Sequence, residues 1–374
     1  MSEASINKVS LGSHDKGYID RDGEQHDRHQ DRRGGDPGRT GRGSSRCVRG
    51  FLIACFVLLV ALTLLISGCR GQQQRRIGLF LYDAQDTFIL ELSEQIRATI
   101  EGDFVLDRFD AEKDQIRQNE QIIAYLEENP AMVVVNSVDR LACGALASKL
   151  DSRGVPVIFI NREPLSSEIE DYPNVYYVGA APAAQGMMQA EIVHSLIGDD
   201  FASSRYDRNA DGIIQLLILK GEQGHQDAER RTTSSIEALK SYGYKVEVLD
   251  IAVASWSRLK AKKVMESVYR RYPDQIELIL SNNDDMALGA LDYLKAKNRR
   301  FLILGVDGTK AGIAAVRDGQ LDGTVLNDAA TQSRAIRELI DYILEEKSME
   351  DFPYPMAGGR FLYVEGMPIR NLSE

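Results

Sequence analysis

From residue 77 onward the chain repeats one pattern: a short apolar run, a few polar or glycine residues, then apolar residues at helical spacing. Ile77 to Leu81 precedes Phe88, Leu92, Ile96 and Ile100. Phe104 to Leu106 precedes Ile116, Ile122, Ile123 and Leu126, and Met132 to Val135 precedes a helix to Leu150. Val157 to Ile160 is closed by Asn161-Arg162-Glu163-Pro164. Such uninterrupted apolar runs suit strands buried on both faces. No hairpin signal joins them, so they are expected to lie parallel, with helices covering both sides of the sheet. After Val175 to Val178, a helix from Gln185 through Ile197 opens a second series, with strands at Ile214 to Leu219, Val246 to Ile251, Leu278 to Leu280 and Leu302 to Val306. The fold class is therefore α/β, with two similar parallel-sheet βαβ lobes in tandem. A late strand at Gly323 to Leu326 and a helix through Ile343 complete one of them.

The first fifty residues mix Asp, Arg, Gly, His and Ser without apolar periodicity and cannot bury a core. Phe51 to Ile66 is almost wholly apolar, follows Arg46 and Arg49, and suits a secretory signal better than a membrane span of about twenty residues. Residues 51–69 thus read as a signal segment. Its end, Leu65-Ile66-Ser67-Gly68-Cys69, resembles a bacterial lipobox, which implies a lipid anchor on Cys69 and a place in the periplasm or at the outer face of the cytoplasmic membrane. The other reading is an uncleaved anchor helix. So long a polar leader suggests a start nearer Val48, or a leader that is dispensable.

Residues 1–68 hold ten of the 45 Lys and Arg and eight of the 56 Asp and Glu, so residues 69–374 carry a formal charge of −13. An acidic chain without a basic stripe argues against a nucleic-acid partner. Cys143 is the one cysteine beyond Cys69, which excludes a disulfide framework or a cysteine-rich metal site in the exported part.

One stretch concentrates polar chemistry: Lys220 to Thr233, which follows an apolar strand and leads into a helix. Gly221 and Gly224 permit a tight turn, and His225, Asp227 and Arg231 bring a donor or acceptor, a pure acceptor and a five-donor fork to the carboxyl edge of the sheet. That set suits a small ligand dense in hydroxyls. The plainer reading is a helix capped by Asp227 beside a solvated Arg231.

Several separated stretches resemble the periplasmic galactose/glucose-binding proteins of the type I periplasmic binding fold. They are Ile77-Gly78 through Asp86-Thr87-Phe88, Asn136-Ser137-Val138-Asp139, Asn161-Arg162-Glu163-Pro164, Lys220 to Thr233, Ser281-Asn282-Asn283-Asp284, Gly305-Val306-Asp307 and Gly323 to Ala329. The resemblance spans residues 76–372. It implies a first lobe from 76–179 and 327–358, a second from 180–326 and 359–374, and a multi-strand hinge near Val178 to Ala181, Asn327, and Gly358 to Phe361. It implies sugar contacts at Asp86, Asn136, His225, Asp227, Arg231, Asn283, Asp307 and Asn327, with Phe88 and Trp256 as the aromatic pair. Carboxylates, amides and a guanidinium can satisfy the hydroxyls of a pyranose, and aromatic planes can cover its apolar faces. The implied function is capture of D-galactose or D-glucose, a hexose monosaccharide, for an ABC transporter permease. A sugar receptor for a chemotaxis or signalling membrane protein is the alternative.

Asp207, Asn209, Asp211 and Gln215 stand at positions 1, 3, 5 and 9 of an EF-hand-like loop, with Gly212 at 6 and Ile213 offering its carbonyl at 7. Ile218 holds position 12, where a bidentate Glu is usual. The resemblance implies that Glu277 supplies that carboxylate and that the cofactor is a structural calcium. A solvated Asp/Asn-rich turn is the plainer reading. No nucleophile elbow or phosphate loop accompanies His225 and Asp227, so an enzyme acting on sugars is the weaker alternative and the chain is read as a binder.

Overall fold

The computed structural model describes residues 74–370 other than Asn298. The leader, the apolar stretch 51–66 and Cys69 lie outside the described residues, as do residues 371–374 of the expected second lobe. Among the described residues no helix is long and apolar enough to cross a membrane.

The first series runs β1 (Arg76–Leu81), α1 (Thr87–Ile100), β2 (Val105–Asp110), α2 (Gln115–Leu126), β3 (Met132–Val135), α3 (Cys143–Asp151), β4 (Val157–Ile160), α4 (Ser166–Ile169) and β5 (Val175–Ala180). The second runs α5 (Pro182–Ile197), β6 (Ile213–Lys220), α6 (Gln226–Ser241), β7 (Lys245–Val253), α7 (Arg258–Arg271), β8 (Leu278–Ser281), α8 (Asp284–Lys295), β9 (Leu302–Leu304), α9 (Lys310–Arg317) and β10 (Gly323–Leu326). The chain then gives α10 (Ala329–Leu344), β11 (Phe361–Val364) and β12 (Met367–Arg370).

Two six-stranded sheets result, ordered β11-β5-β4-β3-β1-β2 and β12-β10-β9-β8-β6-β7. All neighbours are parallel except β12, which runs antiparallel to β10. The apolar runs explain this layering. Along β1, Ile77, Leu79 and Leu81 point into one core with Leu92, Ile96, Ile336 and Leu339, while Phe80 points into the opposite core with Tyr125, Val133 and Val135. In the second sheet, Leu217 and Leu219 face Met265, Met286 and Leu291, whereas Leu216 and Ile218 face Val193 and Leu239. Side chains alternate across a strand, so a strand apolar at every position must be covered twice.

α10 packs its Ile336, Leu339 and Ile340 into the first lobe. The third crossing differs from the sequence expectation. Residues 361–364 pair with β5 in the first sheet, in register Phe361 to Tyr177 and Val364 to Ala180, so the return to the second lobe comes at Glu365-Gly366 rather than at Gly358 to Phe361. Aromatic packing selects this edge: the Phe361 and Tyr363 rings each lie 5.9 Å from that of Tyr177.

Candidate functional site

In each sheet the chain reverses its direction of winding beside one strand. β1 lies between β2 and β3, and β6 lies between β7 and β8. Loops leaving the carboxyl ends on either side of such a switch diverge and open a crevice, which is where open α/β sheets bind ligands. The residues that follow β1, β6, β8 and β9 meet there across the two lobes. A cavity there is walled by Tyr82, Asp86, Phe88, Ile89, Asn161 and Arg162 of the first lobe, and by His225, Asp227, Arg231, Trp256, Asn283, Asp307 and Asn327.

Local folding fixes each side chain. Asp86 caps α1, its Oδ1 accepting from Phe88 N and Ile89 N at 3.1 Å, and its Oδ2 accepts from the Tyr82 hydroxyl at 2.5 Å. Cap and cavity residue are therefore one and the same. α6 is capped by His225, whose Nδ1 accepts from Asp227 N at 3.2 Å, and not by Asp227 as the plainer sequence reading had it. Arg231 is buried rather than solvated: its Nε donates to Gln185 Oε1 at 2.8 Å, its guanidinium donates to the Asn282 carbonyl at 2.8 Å, and it lies 3.4 Å from Asp227 and 3.8 Å from Asp307. Asn283 caps α8, and Asn327 donates to Asp307 Oδ1 at 3.4 Å. Trp256 adopts a left-handed φ of 62° and lies over Gly221, where a Cβ would stand 2.2 Å from the indole. Glycine at that turn makes room for the aromatic plane. Phe88 faces the same cavity from the other lobe.

Burial sets the electrostatics. It pushes the Asp227 carboxyl up to about 6, against the pull of Arg231, and raises Asp307 well above the usual carboxylate range with Arg231 again opposing. Asp86 is raised by the same cause. His225 is held well below its ordinary value by burial and by the positive Arg162 and Arg231, so it stays neutral. The wall thus combines carboxyls, amides, a neutral imidazole and guanidinium groups between two aromatic surfaces. That arrangement can exchange hydrogen bonds with a polyhydroxylated ring.

Of the ten residues singled out in the sequence, nine line this cavity. Asn136 does not: it is fully buried at the end of β3, where its Nδ2 donates to Asn161 Oδ1 at 3.2 Å, one layer behind the wall. Tyr82, Ile89, Asn161 and Arg162 are wall residues that sequence reasoning missed. Arg162 lies 4.1 Å over the Tyr82 ring, donates to the Val138 carbonyl at 2.6 Å, and reaches across to Glu222 at 2.8 Å. The available signal was position, since Tyr82 directly follows β1 and Arg162 follows β4 by two residues.

The acidic loop before β6 closes on itself. Asp207 accepts from Asp211 N and Gly212 N at 3.2 and 2.9 Å, and Asn209 Oδ1 accepts from Asp211 N at 3.0 Å. Asp211 takes the side-chain amide of Gln215 at 2.9 Å and the N–H of Ile213 at 2.8 Å. Glu277, buried on the neighbouring strand edge, accepts from Arg208 N and Gln215 N at 2.7 and 3.2 Å. Gly212 has the left-handed φ, 72°, that the sixth position of such a loop needs. Among the described residues no three Asp, Glu, His or Cys side chains converge as a metal cluster. The donors are nevertheless hard oxygens, and two observations fit a cation: the buried Gln215 Oε1 has no hydrogen-bond partner, and Glu277 is raised by burial and by the charges of Asp207 and Asp211.

Residues 77–348 match the model of a periplasmic binding protein domain. The D-galactose/methyl-galactoside binding periplasmic protein MglB of Haemophilus influenzae is 36% identical over 276 residues, covering 73% of this chain and 82% of that protein. The ribose import binding protein RbsB of Bacillus subtilis is 24% identical, over 76% of this chain and 86% of its own length. An ABC transporter periplasmic solute binding protein from Actinobacillus succinogenes, solved with D-allose, superposes with a TM-score of 0.68 at 19% identity, covering 79% of this chain and 97% of that one. The fold is thus the type I periplasmic binding fold, and its relatives are binders and not enzymes. A doubly lobed α/β chain with its polar wall at the switch points of both sheets, matched over 272 consecutive residues, belongs to the periplasmic binding protein family.

Proposed function

We propose that the chain is an exported sugar-binding protein that takes D-galactose or D-glucose into the cavity between its lobes and presents it to an ABC-type transporter. The observation that carries this reading is the wall itself, in which Asp86, His225, Asp227, Arg231, Asn283, Asp307 and Asn327 from two lobes share one cavity with Phe88 and Trp256. Each hydroxyl of a hexose would find an acceptor or donor there, and its apolar faces an aromatic neighbour. The 36% identity to a galactose-binding relative supports a hexose over the pentose of the more distant one.

Calorimetric titration against hexoses, pentoses and inositols tests this reading. Saturable binding of galactose or glucose, with compaction in solution scattering, is expected. Binding of ribose or inositol with no hexose response would overturn the assignment.

Calcium is the second element of the proposal: Asp207, Asn209, Asp211, Gln215, Glu277 and the Ile213 carbonyl would hold it, joining the loop to the β8 edge. A bound cation would supply charge compensation for that acidic cluster and take no part in sugar recognition. Lipid attachment at Cys69 is the third, and mass spectrometry of the membrane-associated protein decides it, an intact Met1 peptide counting against it.

A further inference from the structure

Asp307 is the wall residue whose backbone is hardest to hold. Its φ is 109°, a region that a residue with a side chain rarely adopts, and Gly308 follows at 64°. Something must fix this turn. Its main chain is tied on one side to β10, through Asp307 N to the Val325 carbonyl at 2.9 Å and Asn327 N to the Asp307 carbonyl at 3.0 Å. On the other side Thr309, two residues on, is held by the carboxyl of Asp284, which lies outside the cavity wall.

Asp284 is fully buried at the first turn of α8, directly after the wall residue Asn283. Its Oδ2 accepts from Thr309 N at 2.7 Å and from the Thr309 hydroxyl at 3.1 Å, and its Oδ1 accepts from the Thr324 hydroxyl on β10 at 2.6 Å. One carboxyl group thereby joins three elements: α8, the turn carrying Asp307, and the strand that leads to Asn327. Two glycines make the space for it, because a Cβ at Gly305 would stand 2.1 Å from Oδ1 and one at Gly312 would stand 2.0 Å from Oδ2. A buried carboxyl group is costly unless its oxygens are met by hydrogen bonds, so its partners are held as firmly as they hold it.

We infer that Asp284 is the positioning residue of the ligand site, setting the Asp307 turn and the Asn327 strand end against Asn283 without touching the ligand. This rests on the cavity being the hexose site. Asp284→Asn replaces one acceptor oxygen by a donor facing either Thr309 N–H or the Thr324 hydroxyl, so the turn loses its clamp while volume is kept.

The test is a double-mutant cycle on hexose affinity, read by calorimetry, with Asp284→Asn and Asp307→Asn alone and combined. Asp284→Asn alone is expected to weaken binding at least about tenfold, and to add less than about threefold in the Asp307→Asn background. Thr324→Val, which removes one of the clamping bonds at constant shape, should show the same pattern and serves where Asp284→Asn does not fold. Parent-like affinity in the folded variants, or a full undiminished loss in the Asp307→Asn background, overturns the inference. A parent that binds no hexose removes the site reading and this inference with it.

Discussion

Among the described residues, ion pairs cross between the lobes beside the cavity: Arg162 to Glu222 at 2.8 Å, and Arg230 to Glu163 through two contacts at 2.9 and 3.3 Å. Gln226 also donates to the Asn161 carbonyl at 3.1 Å. A pair that exists only when the lobes meet adds its free energy to ligand affinity without contacting the ligand. Replacing Glu163 and Glu222 together by Gln keeps size and leaves Arg162 over Tyr82. Exposed pairs contribute about 0.2 to 1 kcal/mol. Here one partner of each pair is about nine-tenths buried while the other keeps about a third or more of its side-chain exposure, which argues for the top of that range without exceeding it. The double variant is therefore expected to lose about 1 to 2 kcal/mol, a rise in Kd of roughly five- to thirtyfold. Because screening shortens from about 10 Å at 0.1 M salt to about 3 Å at 1 M, the parent should weaken with salt and the variant should not. Calorimetry at the two salt concentrations reads both effects, with the ratio of affinities for different hexoses as control. A Kd within twofold of the parent at low salt, or a changed hexose ratio, would refute the reasoning.

Asp227→Ala should weaken hexose binding at least about tenfold by leaving ligand hydroxyls unpaired, and Trp256→Ala should weaken it by losing an aromatic plane; parent-like titrations of both would displace the sugar assignment. The raised Asp227 carboxyl favours the neutral form in the folded protein, so its contribution is full below about pH 3.8 and is lost as pH rises through about 6. Asp227→Asn, neutral throughout, should gain thermal stability relative to the parent between pH 4 and pH 7, by no more than about 3 kcal/mol; a difference that stays flat over this window counts against it. Chelation should lower the melting temperature if the Asp207 loop holds calcium, since a ligand of the folded state alone stabilises it by mass action. Equal melting of calcium-loaded and verified metal-free protein would exclude a stabilising site.

The alternation of strands and helices was legible because it is local: an apolar run such as Met132 to Val135 carries its own period. The last crossing was not. Phe361–Val364 and Met367–Arg370 are separated by two residues, and each is short enough to serve either sheet edge. Packing on Tyr177, 184 positions upstream of Phe361, decides between them. At the site, Asp86, Asp227, Asn283 and Asp307 were legible as polar residues just past strand ends. Tyr82 and Arg162 were not, because a tyrosine after an apolar strand reads as core and an arginine in a turn reads as solvated. Arg162 is packed on Tyr82 and Val138 of its own lobe and paired with Glu222 of the other, contacts that no local pattern reports. Asn136 also follows a strand end yet lies behind the wall, since a strand end gives direction but not depth.

The order of elements bears on how the molecule is made. The first lobe opens with β1 and α1, yet the face formed by Leu92 and Ile96 is closed by Ile336, Leu339 and Ile340, more than two hundred residues later. Its edge strand β11 comes later still, and β12 finishes the second sheet only after that. During synthesis from the amino end, therefore, the first lobe presents an incomplete apolar surface until nearly all of the chain has emerged. Non-local closure of this kind slows folding. A truncation after residue 360 would strip an edge strand from both sheets at once.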